Sequence, residues 1–502
     1  MSKYSGDMYQ QLIELVKKPF TNALSSYDSL DQKIISFLGQ TNSKPYSFSF
    51  ESAPSKDLFC KWNLWRSLLK AILLAHFDGT LKKSQRHLKE SWYDLVAFKS
   101  LDHFQLEIVY AKLTAYFLNI EEEMPLECKQ QKNGLCPLFS GDHWTLLNTP
   151  FIDQHAEFAT LLILIGKLLN QTEYVDQGCK AAYWHIQNTD SEFMPYRGFL
   201  TNHGKSSFNN IVLKQALLFH AASLANQDKE MAFLAKKHFS FLLNCEAHQL
   251  KDLSLETLLI WRLVDSHFKN QLTPEEPKLS QDFCDDNLPI CGKRTDKINV
   301  LCSLAGHNAS MGTLRFGDLQ IAAFGPQIET LGDGAFFGFI DGLNKENGYE
   351  SKKLNDGFML KSTVGLPQIN PEVSASRLWE HPFSWLETKI IYEKDSLKIQ
   401  LKPLRTQENV YFVFYVMADQ CLIKDEKKVL YHSLEQFQGR ACNVSFLNQT
   451  KMMSLDLVKS DTSMKIIPLE GGKSFWGANY LIAYHLNKEY SIFEWKVICS
   501  HR

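Results

Sequence analysis

The chain lacks a long hydrophobic run. Its most apolar stretch, Ala159 to Leu169, is short and carries Gly166 and Lys167, against the roughly 20 apolar residues that a bilayer-spanning helix needs. It also lacks an excess of charge: 54 Lys and Arg against 56 Asp and Glu give a net charge of −2 and a pI near 6.8. That balance removes the electrostatic case for a nucleic acid or an anionic membrane as partner. No CxxC pair occurs, and the 11 cysteines are odd in number and scattered. Neither a zinc ribbon nor a disulfide framework is therefore expected, and free buried thiols in a reducing compartment are. Cys284 and Cys291, the closest pair in the second half, read as a coincidence of spacing. No dinucleotide or phosphate-binding glycine motif follows a strand and opens a helix. The N-terminus, MSKYSGDMYQQLIELVKKPF, has no uninterrupted apolar core, so a cytoplasmic protein without membrane insertion is expected.

What remains is an ordinary folded composition, with 502 residues, 44% hydrophobic and 22% charged. Length alone gives a prior of about three domains. The distribution of glycine and proline points instead to two. Residues 1–270 hold 9 of the 25 glycines, residues 271–502 hold 16, and Pro195 is the only proline between Phe158 and Phe268. That pattern suits helices first and strands later. Apolar residues at helical spacing predict helices over Leu58–Phe77, Leu81–Phe98, Phe104–Leu118, Phe158–Asn170, Tyr174–Gln187, Phe208–Leu224, Met231–Asn244 and Leu255–Phe268, with shorter ones at Tyr9–Val16 and Gln32–Leu38. Short polar links make neighbours antiparallel hairpins, and Asp228 is placed to cap the helix it precedes.

The second half alternates as strands do. Leu314–Phe316 and Leu319–Phe324 flank the two-residue turn Gly317-Asp318. Ser396–Leu401 alternates apolar and polar, and Val410–Met417 is continuously apolar, as a strand buried on both faces would be. Tyr480–Leu486 and Ile492–Val497 read as a late pair. The expected architecture is a multidomain α-then-β chain: a helical domain over 1–268, a Pro- and Asp-rich linker over 269–297, and an antiparallel β-sandwich over 298–502.

Chemistry is sought first on loops held by rigid elements. Phe193–Phe208, FMPYRGFLTNHGKSSF, is a polar interruption between two convincing helices. In it Tyr196 and His203 supply groups that move protons, Asn202 and Arg197 supply donors for a carboxylate, and Lys205 adds positive charge. That inventory suits proton abstraction beside a carboxylate, the first step of β-elimination from a uronic acid. The bland reading is a turn shaped by Asn202 and Gly204, with His203 capping a helix. A second loop, Gly306 to Phe316, carries His307 between predicted strands, where a surface histidine is the plain alternative. Asp142, Asp153 and Glu157 cluster near a helix start, with Trp144 as a sugar platform. A glycosidase needs two opposed carboxylates, whereas acids at helix starts commonly serve as caps.

This pattern resembles the heparinase II/III-type polysaccharide lyases. The shared features are a helical half with Asn-His on a loop before a helix, then a sandwich whose early hairpin carries Gly-His. The resemblance implies an α/α-toroid followed by an antiparallel β-sandwich, with the active site in the cleft between them. The helical Asn-His motif maps onto Asn202 and His203, and the Gly-His-Ala-Asp segment with its following hairpin maps onto Gly306–Gly325. Two acidic positions of that pattern are replaced, by Ala309 and Phe324; in relatives that hold a structural metal such carboxylates help ligate it. No metal and no cofactor are expected here.

Two functions compete. In one, the chain is a carbohydrate-active enzyme that cleaves an acidic polysaccharide or oligosaccharide by β-elimination. Tyr196, Asn202, His203 and His307 are then catalytic, and Arg197, Lys205 and Trp144 bind substrate. In the other, it is a binding or scaffold protein that kept the architecture and lost catalytic groups. A glycoside hydrolase on a helical toroid is the third possibility.

Overall fold

The computed structural model describes residues 57–501 with breaks. Residues 1–56, 98–104, 139–150, 200–207, 246–252, 304–309, 329–348, 363–385 and 404–409 lie outside the described set, with 502 and internal gaps of one to five residues. The proposed helices Tyr9–Val16 and Gln32–Leu38 fall there. The chain separates into two compact units, one of residues 1–144, 153–186 and 209–277 and one of 145–152, 187–208 and 278–502.

The first unit contains eight helices among the described residues. They are α1 (Asp57–Phe77), α2 (Leu81–Ala97), α3 (Gln105–Leu118), α4 (Ile152–Leu168), α5 (Thr172–Gln187), α6 (Phe208–Asn226), α7 (Lys229–Leu243) and α8 (Leu255–His267). Each matches a predicted helix, and α4 begins six residues earlier than expected, because its first turn carries the polar residues Asp153, Gln154 and His155 rather than an apolar face. α2 buries Leu88, Ser91, Trp92 and Leu95, one stripe at helical spacing. α6 is buried continuously from Ile211 to Leu224, the signature of a central helix. Trp65 and Trp92 pack edge to face at 6.3 Å, and Trp92 Nε1 donates to Ala111 O. Asp228 caps α7, accepting from the Glu230 and Met231 amides at 2.9 and 3.0 Å.

Two buried polar networks tie these helices. The first is a cluster of ions. Lys214 of α6 pairs with Asp153 at 3.0 Å and Glu157 at 2.7 Å, residues one turn apart on α4. Arg66 of α1 pairs with Glu157 at 3.3 Å, and Tyr110 of α3 donates its hydroxyl to the same carboxylate. Burial works against the charge of Lys214, but Asp153 and Glu157 hold its pKa above the ordinary lysine value. The cluster sets two cations against two anions, the condition under which buried ions are tolerable.

The second network is neutral. The Cys136 amide donates to His155 Nε2 at 2.9 Å, which leaves the His155 proton on Nδ1, directed at His185 Nε2 at 2.9 Å. His185 then carries its proton on Nδ1. Gln215 Nε2 stands 3.0 Å from that nitrogen and Gln215 Oε1 3.2 Å from His238 Nε2, and a half-turn of the amide exchanges the two atoms. Turned so that its oxygen faces His185 and its nitrogen His238, the amide gives every donor an acceptor, and His238 Nδ1 donates to Leu234 O at 3.0 Å. The opposite orientation would require His155 to accept at both ring nitrogens, an anionic imidazolate. Burial accordingly lowers His155 to about 3 and His238 to about 4, and holds His185 well below its ordinary value.

Among the described residues the second unit holds 18 strands. Twelve of them are β1 (Asp282–Cys284), β2 (Ile290–Arg294), β3 (Asn299–Ser303), β4 (Gly312–Phe316), β5 (Leu319–Ile328), β6 (Tyr349–Leu354), β7 (Gly357–Ser362), β8 (Leu386–Glu393), β9 (Ser396–Pro403), β10 (Val410–Met417), β11 (Gln420–Asp425) and β12 (Lys428–His432). The others are β13 (Phe437–Arg440), β14 (Asn443–Leu447), β15 (Lys451–Lys459), β16 (Ser463–Pro468), β17 (Tyr480–His485) and β18 (Phe493–His501). They form two nine-stranded antiparallel sheets, ordered β1-β2-β3-β4-β5-β10-β17-β16-β13 and β12-β11-β14-β15-β18-β9-β8-β7-β6. Strand β10 shows how the layers arise. Its even residues Phe412, Phe414 and Val416 enter the core shared with Leu397, Ile399 and Trp495 of the other sheet, while Tyr411, Val413 and Tyr415 line the outer face with Ala322, Leu481 and Trp476. Period-two alternation buried on both faces explains the continuously apolar sequence.

Three expectations need correction. The strands at 480 and 493 do not pair: β17 lies between β10 and β16, and β18 between β15 and β9, because the chain crosses from one sheet to the other. The stretch 269–297 is not wholly linker, since β1 and β2 form a hairpin within it. That hairpin carries a Cys284–Cys291 disulfide, where the register sets the two residues directly opposite. Seven cysteines among the described residues are free, five of them buried.

The histidine chain predicts acid lability. Each imidazole is neutral in the fold and takes up a proton on unfolding near pH 6.5, so its contribution is complete above that pH and declines as pH falls toward the folded values of about 3 and 4. Urea denaturation between pH 6 and 4.5 is expected to show stability falling by up to about 4 kcal/mol per pH unit for three histidines. The His238→Gln variant is expected to flatten that slope by about a third; a slope unchanged by the variant contradicts the assignment. The ion cluster predicts that Lys214→Met, which takes the shared ammonium away from two buried carboxylates, costs about 3–5 kcal/mol in the same measurement, whereas a loss below about 1 kcal/mol would mean that Lys214 is dispensable.

Candidate functional site

The loop singled out in the sequence begins in a segment that belongs to the β unit, although it lies between two helices in the chain. Residues 189–195 form a miniature hairpin closed by a bridge between Thr189 and Pro195. Inside it Asp190 Oδ1 accepts from the Glu192 and Met194 amides at 2.8 and 2.9 Å. The Asp190 amide in turn donates to Met194 O at 2.9 Å. Phe193 adopts a left-handed φ of +64° at the tip, a strain of about 1–3 kcal/mol that the bonds around it offset.

Three side chains of the first sheet hold this hairpin. Arg315 of β4 pairs with the second Asp190 oxygen and, at 2.7 Å, with Glu192. Arg294 of β2 donates to the Thr189 carbonyl at 2.6 Å, to Gln187 O and to Ser280 O. Asn299 of β3 accepts the Ser191 amide at 3.0 Å. Asp190 is 1% exposed at its side chain. Burial raises its pKa, against the pull of Arg315 and of the Met194 and Glu192 amides.

Farther along, Gly198 lies against β5: a Cβ there would collide with the Ala322 carbonyl oxygen, so only glycine permits the approach. Ser310 Oγ donates to Gly198 O at 2.8 Å. Gly198 and Ser310, described residues that flank in sequence the two segments singled out for chemistry, are thus bonded to each other. Asn202 follows Gly198 by four residues, and His307 precedes Ser310 by three.

Of the site residues inferred from sequence, the structure describes Tyr196 and Arg197. Tyr196 is 3% exposed, and its hydroxyl has no hydrogen-bond partner among the described residues. Burial raises its phenol well above the ordinary value and nearby Asp190 adds to the rise, while Arg294 and Arg315 oppose it. A phenol so placed keeps its proton, which suits a donor better than a base. Arg197 is half-buried, its guanidinium 4.0 Å from the centre of the Phe208 ring. Trp144, Asn202, His203, Lys205 and His307 lie outside the described residues.

Of the three acids weighed for a glycosidase, Asp142 lies outside the described residues, and Asp153 and Glu157 are brought together but with the Lys214 ammonium between them. Both are buried, and a cation held between two carboxylates occupies the place a sugar would need. An open cavity of about 410 Å³ in the helical unit is lined by Cys128, Gln130, Glu173, Asp176 and Lys180 among others. Neither Tyr196 nor Arg197 lines it. Sequence reasoning missed Asp190, Arg294 and Arg315 as the framework of the loop. The one available signal was an arginine on an otherwise apolar hairpin strand, GTLRF.

No family model and no curated protein matches the chain. It is similar to solved structures of polysaccharide lyases. A heparinase III shares 9% identity over 96% of this chain and 76% of that one, with a TM-score of 0.35. A variant of chondroitin AC lyase from Streptomyces coelicolor A3 shares 8% over 99% and 83%, with a TM-score of 0.48. The Streptomyces coelicolor A3 enzyme in complex with chondroitin sulphate shares 7% over 99% and 82%, with a TM-score of 0.33.

Proposed function

We propose that the chain is a lyase acting by β-elimination on an acidic, uronate-containing polysaccharide or oligosaccharide, with its helices arranged as an α/α-toroid. The observation that supports this most is the hydrogen bond from Ser310 to Gly198, residues that stand three and four positions in sequence from His307 and Asn202. In this reading Asn202 donates to the uronate carboxylate and spreads the charge of the enolate formed when the C5 proton leaves. His203 takes that proton. The C4–O bond then breaks as the C4=C5 double bond forms, and Tyr196, whose buried phenol keeps its proton, supplies it to the departing oxygen. Arg197, Lys205 and His307 hold the anionic chain, so attraction is local in a protein of net charge −2.

The second reading, a binding protein on the same architecture, draws support from Phe324. It stands at an acidic position of the lyase pattern and is fully buried with Phe412 and Phe414 in the sandwich core. No carboxylate function is retained there.

Incubation with a panel of uronate polymers separates the two. Ultraviolet absorbance of the unsaturated uronate end is expected to rise with at least one polymer and to fall by about 10²–10⁴-fold in His203→Ala and in Asn202→Ala. Polymer binding without any unsaturated product would establish the binding reading instead.

A further inference from the structure

At the edge of the first sheet, one row of the strand ladder holds three sulfur atoms. Cys284 of β1 lies directly opposite Cys291 of β2, and Cys291 lies directly opposite Cys302 of β3. Directly opposed residues of antiparallel strands point to the same face. All three do so here: Cys291 and Cys302 belong to the sandwich core, and Cys284 packs against it. Cys284 and Cys291 form a disulfide, and Cys302 is a free thiol. Gly312 takes the next place in the row, opposite Cys302, and a Cβ there would stand 2.9 Å from Cys302 Sγ. The glycine gives that sulfur its room.

We propose that this row is a thiol–disulfide exchange site, with Cys302 as the resolving thiol that displaces Cys284 from Cys291. Strands lie about 4.8 Å apart in the order β1-β2-β3, so Cys302 stands in the ladder on the side of Cys291 away from Cys284. That is the side from which in-line attack on the disulfide comes. The Cys302 thiolate forms a bond to Cys291 Sγ, the Cys284–Cys291 bond breaks, and Cys284 leaves as a thiolate that takes up a proton. The proton lost by Cys302 is balanced by the one gained at Cys284, and no external oxidant or reductant enters. Cys291 and Cys302 are fully buried while Cys284 is half-buried, so the exchange moves the free thiol from the core to the accessible edge strand. It also removes the covalent tie between β1 and β2. Burial holds the Cys302 thiol protonated, so the step proceeds through a small thiolate fraction and is slow. This site is independent of the elimination chemistry.

The test is disulfide mapping of the full chain by mass spectrometry after alkylation under non-denaturing, mildly alkaline conditions without reductant. A linked Cys291–Cys302 peptide with alkylated Cys284 is expected to accumulate over hours in the wild type and to be absent in Cys302→Ala. Persistence of Cys284–Cys291 as the sole linkage, with Cys284 unalkylated in both proteins, overturns the proposal. In a second arm Cys284→Ser is treated with oxidised glutathione. A Cys291–Cys302 disulfide in most molecules is expected, and two free thiols at Cys291 and Cys302 overturn the proposal even if the first arm is lost to slow alkylation.

Discussion

The ion pair of Asp190 and Arg315 governs the part of this structure on which the proposed function rests. A carboxylate removed from water costs several kcal/mol unless its charge and lone pairs are met. Here a guanidinium meets one oxygen, and the amides of Glu192 and Met194 meet the other. Because Arg315 sits on a rigid strand, the ion pair transfers the hairpin 189–195 to the sheet. The Arg294 bonds and the Gly198 approach to β5 then continue the attachment toward the start of the segment whose sequence holds Asn202 and His203. Under the proposed elimination chemistry, proton-transfer groups gain accuracy from such a rigid support.

The helical unit buries polarity in two contrasting ways. The cluster around Lys214 keeps full charges and balances them, two against two. The chain from Cys136 through His155, His185, Gln215 and His238 to Leu234 keeps no charge at all and satisfies each proton by direction. Both cross-link helices distant in sequence, and both would be costly if half-made. They also explain why Asp153 and Glu157 look catalytic in sequence without being free to act: their partners come from α1, α3 and α6.

Much of the fold was legible because period is a local property. The stripe of α2, the Asp228 cap, the Gly317-Asp318 turn and the doubly buried β10 are all written within a few residues. What escaped is non-local. Asp190 and Arg315 are 125 positions apart, and neither carries a mark of its partner. The β1–β2 hairpin hid in a Pro- and Asp-rich stretch because its strands are three and five residues long and gain their order from β3 beside them. The alignment of three cysteines depends on register across three strands, which spacing along the chain does not reveal. Tyr196 was legible as a reactive type, but its burial and its retained proton follow from the sheet it rests on.

Hydrogen exchange at the amides of Ser191 and Met194 tests most directly whether the β unit holds the loop. In the wild type both amides are bonded to side chains anchored on the sheet hairpin. Protection comparable to the β4 and β5 amides is predicted. In Arg315→Gln both amides are predicted to exchange about 100-fold faster, the equivalent of about 3 kcal/mol of local opening, with the α7 amides unchanged. Loop amides that exchange at the same rate in both proteins would contradict the account.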